Sequence, residues 1–448
     1  LTVEEDANIF VNYKMDEYGS ESYEKHTHNT EATKGGTYKD SQMHYENVAC
    51  KDCPIGYVTE TLVEREHTYE NGFCKACDAY EPAVLNSNNA YEIGNAGQLY
   101  WFADKVNKES YKYVNVNVVL TADIVVNKNV LNDGELTKDV DGLRNWTPIQ
   151  QYDGTFDGAR HTISGIYCVS DTIEEAGIFQ NTIDNAIVEN IGVLDSYYCL
   201  KKGYNVGGIV GYNCGIIRNC YNEGMVSSLY NNDNYLGGIC GMNGGGIITG
   251  CYNKGKVANS VWETRAGGIC GRSTNTILNC YNTGSVTGGS RVGGICGSND
   301  SSTTSGRIEN CYNIGTINSS IIDDGYKRNI AVIDDAKAVV ENCYYLENNY
   351  IALEDGTFGM AEDDFASGEV AYRLQEGQKE PVWGQTLADE GGDLYPVLGG
   401  KTVYQNETYS GCTKESSVEI EYSNEEKDTK YTHVLEKTEK VNADCEND

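Results

Sequence analysis

GGIVGYNCGIIRNCYNEGMV at residues 207–226 is followed by GGICGMNGGGIITGCYNKGKV at 237–257, GGICGRSTNTILNCYNTGSV at 267–286 and GGICGSNDSSTTSGRIENCYNIGTI at 293–317. A degraded fifth copy, AVVENCYYLENN, runs from 338 to 349. The Gly-Gly starts lie 30, 30 and 26 residues apart, and the central cysteines 220, 251, 280, 311 and 343 lie 31, 29, 31 and 32 apart. A near-constant period of this length marks a stacked repeat. Inside each unit the apolar stretches are short, as in Gly-Ile-Cys and Thr-Ile-Leu, and are broken by Asn, Gly and Ser. None sustains the i, i+3, i+4, i+7 spacing of a helix. Strands so short bury too little alone, so each must pair with its equivalent in the next unit. The pattern predicts an all-β, parallel solenoid rising about 4.8 Å per coil.

Equivalent positions then form rows along the axis. Ile209, Ile239, Ile269 and Ile295 make one internal row, with Val210, Cys240, Cys270 and Cys296 beside it. Ile217, Ile248, Ile277 and Ile308 make another. Asn222, Asn253, Asn282 and Asn313 recur two residues before a Gly, where an Asn tolerates left-handed backbone angles and stacked amides bond coil to coil. The Gly-Gly pairs belong where coils bend sharply. Arg218, Thr249, Leu278 and Glu309 vary freely, as an outward row should. Charge placement agrees. The chain of 448 residues carries 34 Lys+Arg against 67 Asp+Glu, a formal charge of −33. Residues 207–316 hold 7 basic and 5 acidic side chains, a net of +2, which leaves −35 to the flanks. Like charges stacked in register would repel, and the repeat avoids them.

GGICG followed by NCYNTG resembles the GLUG-motif β-helix repeat of Gram-positive surface proteins. The upstream segments YEIGNAGQLYWFADKVN, VVLTADIVV, WTPIQQYDGTFDGARHTISGIY and AGIFQNTIDNAIVENIGV are similar to the first cap and coils of that family. FASGEVAYRLQEG, VWGQTL and LYPVLGGKTVY resemble its closing segment. The resemblance spans roughly residues 83–406 and implies a right-handed parallel β-helix at the cell surface or secreted. Residues 97–107 read as a helix whose Leu99, Phe102, Ala103 and Val106 share a face and cover the first coil. Residues 361–375 cover the other end with Phe365, Val370, Ala371 and Leu374. The rest divides into an acidic segment at 1–48, which ends a preceding module or forms a linker; a small CxxC/CxxC module at 49–82; and an acidic stretch at 407–448 that resembles the start of a further Cys-containing module. The chain is accordingly expected to be a piece of a longer protein.

So acidic a chain argues against nucleic acid and anionic membrane surfaces as partners. No apolar run approaches the ~18 residues of a membrane helix, so no insertion is expected. Two CxxC pairs, Cys50 with Cys53 and Cys74 with Cys77, stand 20 residues apart. They fit a zinc-ribbon-like site for one structural zinc, with His44 and His67 as spare ligands. Two disulfides are the alternative outside the cell. The solenoid cysteines read as buried free thiols, Cys214 and Cys220 being the candidate exception. Tyr221, Tyr252, Tyr281, Tyr312 and Tyr344 follow the central cysteine in every unit. Strand alternation points them outward, to stack on sugar rings or a protein partner, or simply on one another.

Catalytic signatures are missing: the sequence holds no HExxH and no GxSxG. His161 has no nominated partner. Asp153 with Asp157, and Asp139 with Asp141 and Gly142, read as turn residues more readily than as calcium ligands. The expectation is a non-catalytic extracellular stalk or adhesin with a glycan or protein partner. The alternatives are a β-helix polysaccharide lyase or hydrolase, and a self-assembling filament subunit.

Overall fold

The computed structural model describes residues 9–15, 21–27, 30–32, 37–38 and 42–50, and residues 61–432 apart from 231, 260, 301–305, 320–326, 336, 348–355, 389–390 and 411–416. The chain divides into two compact units, Leu1–Ala83 with Asn95–Phe102, and Val84–Gly94 with Ala103–Asp448.

The second unit is a parallel β-solenoid. One coil contains the strands Asn205–Gly207, Val210–Asn213, Ile216–Arg218, Tyr221–Asn222 and Met225–Ser228. Each joins a sheet built from its equivalents in other coils. The Ile216–Arg218 sheet has ten strands, the Tyr221–Asn222 sheet nine, and the remaining three have six each. Pairing is in register, Ile217 with Ile248, Ile248 with Ile277 and Ile277 with Ile308. The expected rows therefore stand: Ile209, Ile239, Ile269 and Ile295 are all fully buried. The variable row Arg218–Thr249–Leu278–Glu309 faces outward, and Arg218 pairs there with Glu189 at 2.6 Å.

The two asparagines of N-C-Y-N divide the work that the sequence suggested for one. Asn219, Asn279, Asn310 and Asn342 take the left-handed backbone, with φ of 54°, 53°, 50° and 50°. The second asparagine is fully buried and forms a ladder, Asn222 Nδ2 donating to Asn253 Oδ1 at 3.0 Å, Asn253 to Asn282 at 2.9 Å and Asn282 to Asn313 at 2.8 Å. Each also donates to a carbonyl two residues on, as Asn253 does to Gly255 at 2.8 Å. The Gly-Gly pairs serve close approach and not unusual torsion. A Cβ on Gly238 would lie 2.2 Å from Asn253 Cγ.

A helix spans Ala96–Lys108, with Leu99, Phe102, Ala103 and Val106 buried as expected. Its Asn107 is tied to the solenoid, donating to Pro148 O at 3.0 Å and accepting from Gln150 N at 2.9 Å. At the other end two helices, Glu362–Ala366 and Glu369–Gln375, replace the single one read from sequence. Gly368, at φ 91°, breaks them. Among the described residues, no helix is long and apolar enough to cross a membrane.

The first unit contains the strands Met43–Cys50 and Thr61–Glu66, paired antiparallel with Met43 opposite Glu66 and Val48 opposite Thr61. A tight hairpin follows, Tyr69–Glu70 against Phe73–Cys74. Its Asn71-Gly72 turn has φ of 49° and 77°, the type I′ geometry that this dipeptide favours.

Candidate functional site

Four of the tyrosines form a continuous stack, and the fifth, Tyr344, stacks on Phe358. Ring centroids are 4.8 Å apart between Tyr221 and Tyr252, 4.8 Å between Tyr252 and Tyr281, and 4.9 Å between Tyr281 and Tyr312, with interplanar angles of 3°, 9° and 2°. The expected outward face of five rings is corrected by the C-terminal cap. Tyr281, Tyr312 and Tyr344 are 7%, 1% and 3% exposed. Trp383 packs 5.6 Å from the Tyr312 ring and Phe365 packs 5.8 Å from it, while the Tyr312 hydroxyl donates to Pro396 O at 2.7 Å. Burial pushes the Tyr344 phenol up to about 12. The apolar ring faces at this end are the surface that the cap needs to bury. Tyr221 and Tyr252 alone of the five remain half-open.

Beside that open end stands a hairpin, Leu131–Asn132 against Glu135–Leu136. Its turn residues Asp133 and Gly134 have φ of 50° and 77°, again type I′. The Asp195 carboxylate anchors its base, accepting from Val130 N at 3.2 Å and Leu131 N at 2.7 Å. Between this hairpin and the turns after the open tyrosines lies a polar cleft of about 250 Å³, lined by Asp133, Glu135, Glu223, Lys254, Lys256 and Ser285. Lys254 pairs with Glu223 at 3.0 Å, and Lys256 pairs with Glu135. The Lys254 ammonium lies 5.2 Å from the Tyr252 ring centroid. Carboxylates and ammonium groups thus converge on one wall, beside the half-open Tyr221 and Tyr252. This is a donor–acceptor set suited to neutral, hydroxyl-rich ligands. Nothing in the hairpin's own sequence announces the cleft, because Glu135 and Lys256 are 121 residues apart.

A second charged cluster lines the sheets that contain Asn205–Gly207 and Val210–Asn213. Arg265 pairs with Asp233, Arg272 with Asp300 at 2.6 Å, and Arg291 with Asp334 at 2.7 Å. Tyr235 sits between two guanidiniums, 5.1 Å from Arg265 and 5.6 Å from Arg272. Each stacked arginine has its own aspartate, so this cluster balances its own charge. Two coils toward the N-terminus from Tyr235 in the same outward row, burial pushes Glu175 up to about 7, against the stabilising Asn205 amide at 3.1 Å.

The cysteines fall into two groups. Those of the solenoid are buried, apart from a half-buried Cys214, and no disulfide joins the described cysteines. Cys214 and Cys220 are both free. Several thiols donate to a carbonyl two residues back, as Cys280 does to Leu278 O at 3.2 Å. In the first unit, His67 Nδ1 lies 3.3 Å from Cys74 Sγ and 3.5 Å from Cys77 Sγ. Burial pushes both thiols up. At Cys74 the Ala76 amide and the His67 ring outweigh it and bring the value to about 7, whereas Cys77 rises to about 11. The backbone of Cys50 ends the strand Met43–Cys50, opposite Thr30. The His67 amide meets Gln42 O at the other end of that strand. Eight residues at about 3.3 Å each put these points on the order of 25 Å apart along the strand. The structure thus brings His67 to Cys74 and Cys77, while Cys53 and the side chains of Cys50 and His44 lie outside the described residues.

His161 does find a partner that sequence reading missed. Its Nδ1 is 3.3 Å from Asp123 Oδ1, which also accepts the Thr162 amide at 2.8 Å. Of the other acidic candidates, Asp157 and Asp139 act in turns and Asp153 bonds across to another coil. Asp157 accepts from Ala159 N at 2.8 Å, Asp153 from Asn185 N at 3.1 Å, and Asp139 from Asp141 N at 3.3 Å.

Three segments, residues 202–227, 263–287 and 288–318, match the family model of the GLUG motif. All three fall on the solenoid described above, and the coil at 237–257 keeps the same register between the first and the second. A search of curated proteins finds no match.

Proposed function

We propose that this solenoid of GLUG repeats is an extracellular recognition module of a bacterial surface protein, a stiff stalk that binds glycan on its side wall. The observation that supports this reading is the polar cleft under the Leu131–Leu136 hairpin, whose Lys254 reaches to the half-open Tyr252. Sugars bind where their hydroxyls meet fixed carboxylates and ammonium groups, and this wall offers both, with the ring edges of Tyr221 and Tyr252 beside them. The acidic chain and the resemblance of its repeats to Gram-positive surface proteins agree with an extracellular setting.

The test is a glycan array followed by calorimetric titration of the best ligand. Glu223→Ala and Lys254→Ala are each expected to weaken binding roughly tenfold, the loss of about one charge-assisted hydrogen bond. An array without signal, or affinities that both variants leave unchanged, overturns the proposal. The His161–Asp123 pair favours a second reading, a hydrolase or lyase acting on such a polymer, because an imidazole oriented by a carboxylate can serve as a base. Release of new reducing or unsaturated ends, lost in His161→Ala, would favour it over simple binding.

A further inference from the structure

The small module carries a group that the solenoid's function does not use. We propose that His67, Cys74 and Cys77 form a thiolate–imidazole site for one zinc ion, without Cys50 or Cys53. The three ligand atoms lie within 4.8 Å of one another, and among the described residues no other His, Cys, Asp or Glu joins them. Bond lengths of about 2.3 Å to sulfur and 2.0 Å to nitrogen give a tetrahedral zinc site an N···S edge of about 3.5 Å. The observed edges from His67 Nδ1 are 3.3 Å to Cys74 and 3.5 Å to Cys77.

The local fold accounts for the placement. The Asn71-Gly72 turn folds Tyr69 onto Cys74, so His67 returns beside the Cys-x-x-Cys loop, whose Lys75 amide donates to Thr68 O at 2.9 Å. Within that loop the Ala76 amide points at Cys74 Sγ at 3.4 Å, an arrangement that stabilises a thiolate. Phe73 anchors the hairpin from behind, its ring 5.3 Å from Tyr100 and 6.0 Å from Tyr80. The strand pairing that carries Cys50 away from His67 is what separates this site from a four-thiolate ribbon.

The experiment uses the full chain, purified under reducing conditions and loaded with zinc or cobalt(II). One zinc per chain is expected by elemental analysis. The cobalt(II) spectrum should show tetrahedral d–d bands with sulfur-to-metal absorption of the strength given by two thiolates, half that of four. A Cys74→Ser/Cys77→Ser double variant should lose the ion, His67→Ala should bind at least tenfold more weakly, and Cys50→Ser/Cys53→Ser should keep both ion and spectrum. The wild-type cobalt spectrum needs no variant, so a misfolded mutant does not blunt the test. Absence of a stoichiometric ion, a four-thiolate spectrum, loss of the ion in Cys50→Ser/Cys53→Ser, or a Cys74–Cys77 disulfide that persists in reductant overturns the proposal.

Discussion

Asn253 shows what a single buried amide does in this architecture. It accepts from Asn222 and donates to Asn282 and to the Gly255 carbonyl. Asn253→Ala would strand those partners in a place without water, at a cost of roughly 2–4 kcal/mol, since each unpaired buried group costs about 1–3. Denaturant titration of the variant should show the midpoint fall without a change of fold in circular dichroism. Glu175 sets a pH dependence. Burial raises its folded value to about 7 from the ordinary 4.5. The folded state therefore holds the proton more tightly than the unfolded chain does. The stability this confers is complete below pH 4.5 and is lost as pH rises through 7. Glu175→Gln should match the parent near pH 4 and exceed it near pH 8 by on the order of 2 kcal/mol, allowing for partial screening by solvent. Equal stabilities at both pH values would disprove that assignment.

At the scale of elements, the C-terminal cap matters more than its short helices suggest. Trp383 lies against Tyr281 and Tyr312, and its indole N–H donates to Asn279 Oδ1 at 3.1 Å. It thereby locks a segment to a coil 104 residues earlier. Phe365, Val370 and Leu374 complete the same cluster. Trp383→Ala should cost about 3–5 kcal/mol, as other large-to-small core changes do. Hydrogen exchange should accelerate first in the coils that carry Tyr281, Tyr312 and Tyr344 and leave those before Tyr221 unchanged. Uniform acceleration along the solenoid would contradict the local role of the cap, because stacked repeats couple mainly to their neighbours.

Across the whole molecule, legibility followed the distance between interacting residues. The rows Ile209–Ile295, Ile217–Ile308 and Asn222–Asn313 could be read directly, because a repeat in register pairs each position with its own equivalent about thirty residues on. Both helical caps were visible as apolar faces. The division of labour between Asn219 and Asn222 was not, since an asparagine at either position tolerates a left-handed turn and only the pairing shows which amide is stacked. Burial of Tyr281, Tyr312 and Tyr344 depends on Phe365, Val370, Leu374 and Trp383 folding back, and no periodicity records that contact. His161 with Asp123, and Glu135 with Lys256, meet only because coils and a hairpin bring them together. The cysteine spacing near the N-terminus allowed several ligand sets; the Asn71-Gly72 hairpin placed His67 beside Cys74 and Cys77, and the register of Met43–Cys50 on Thr61–Glu66 set the Cys50 backbone at the far end. The linear order of residues thus settled the coil, its interior and its need for caps, because those rest on spacing and on the cost of exposed apolar strands. Which tyrosines stay open, where a cleft forms and which groups share a site arose from contacts between distant segments, whose free energy comes from packing surfaces that exist only once the chain has closed on itself.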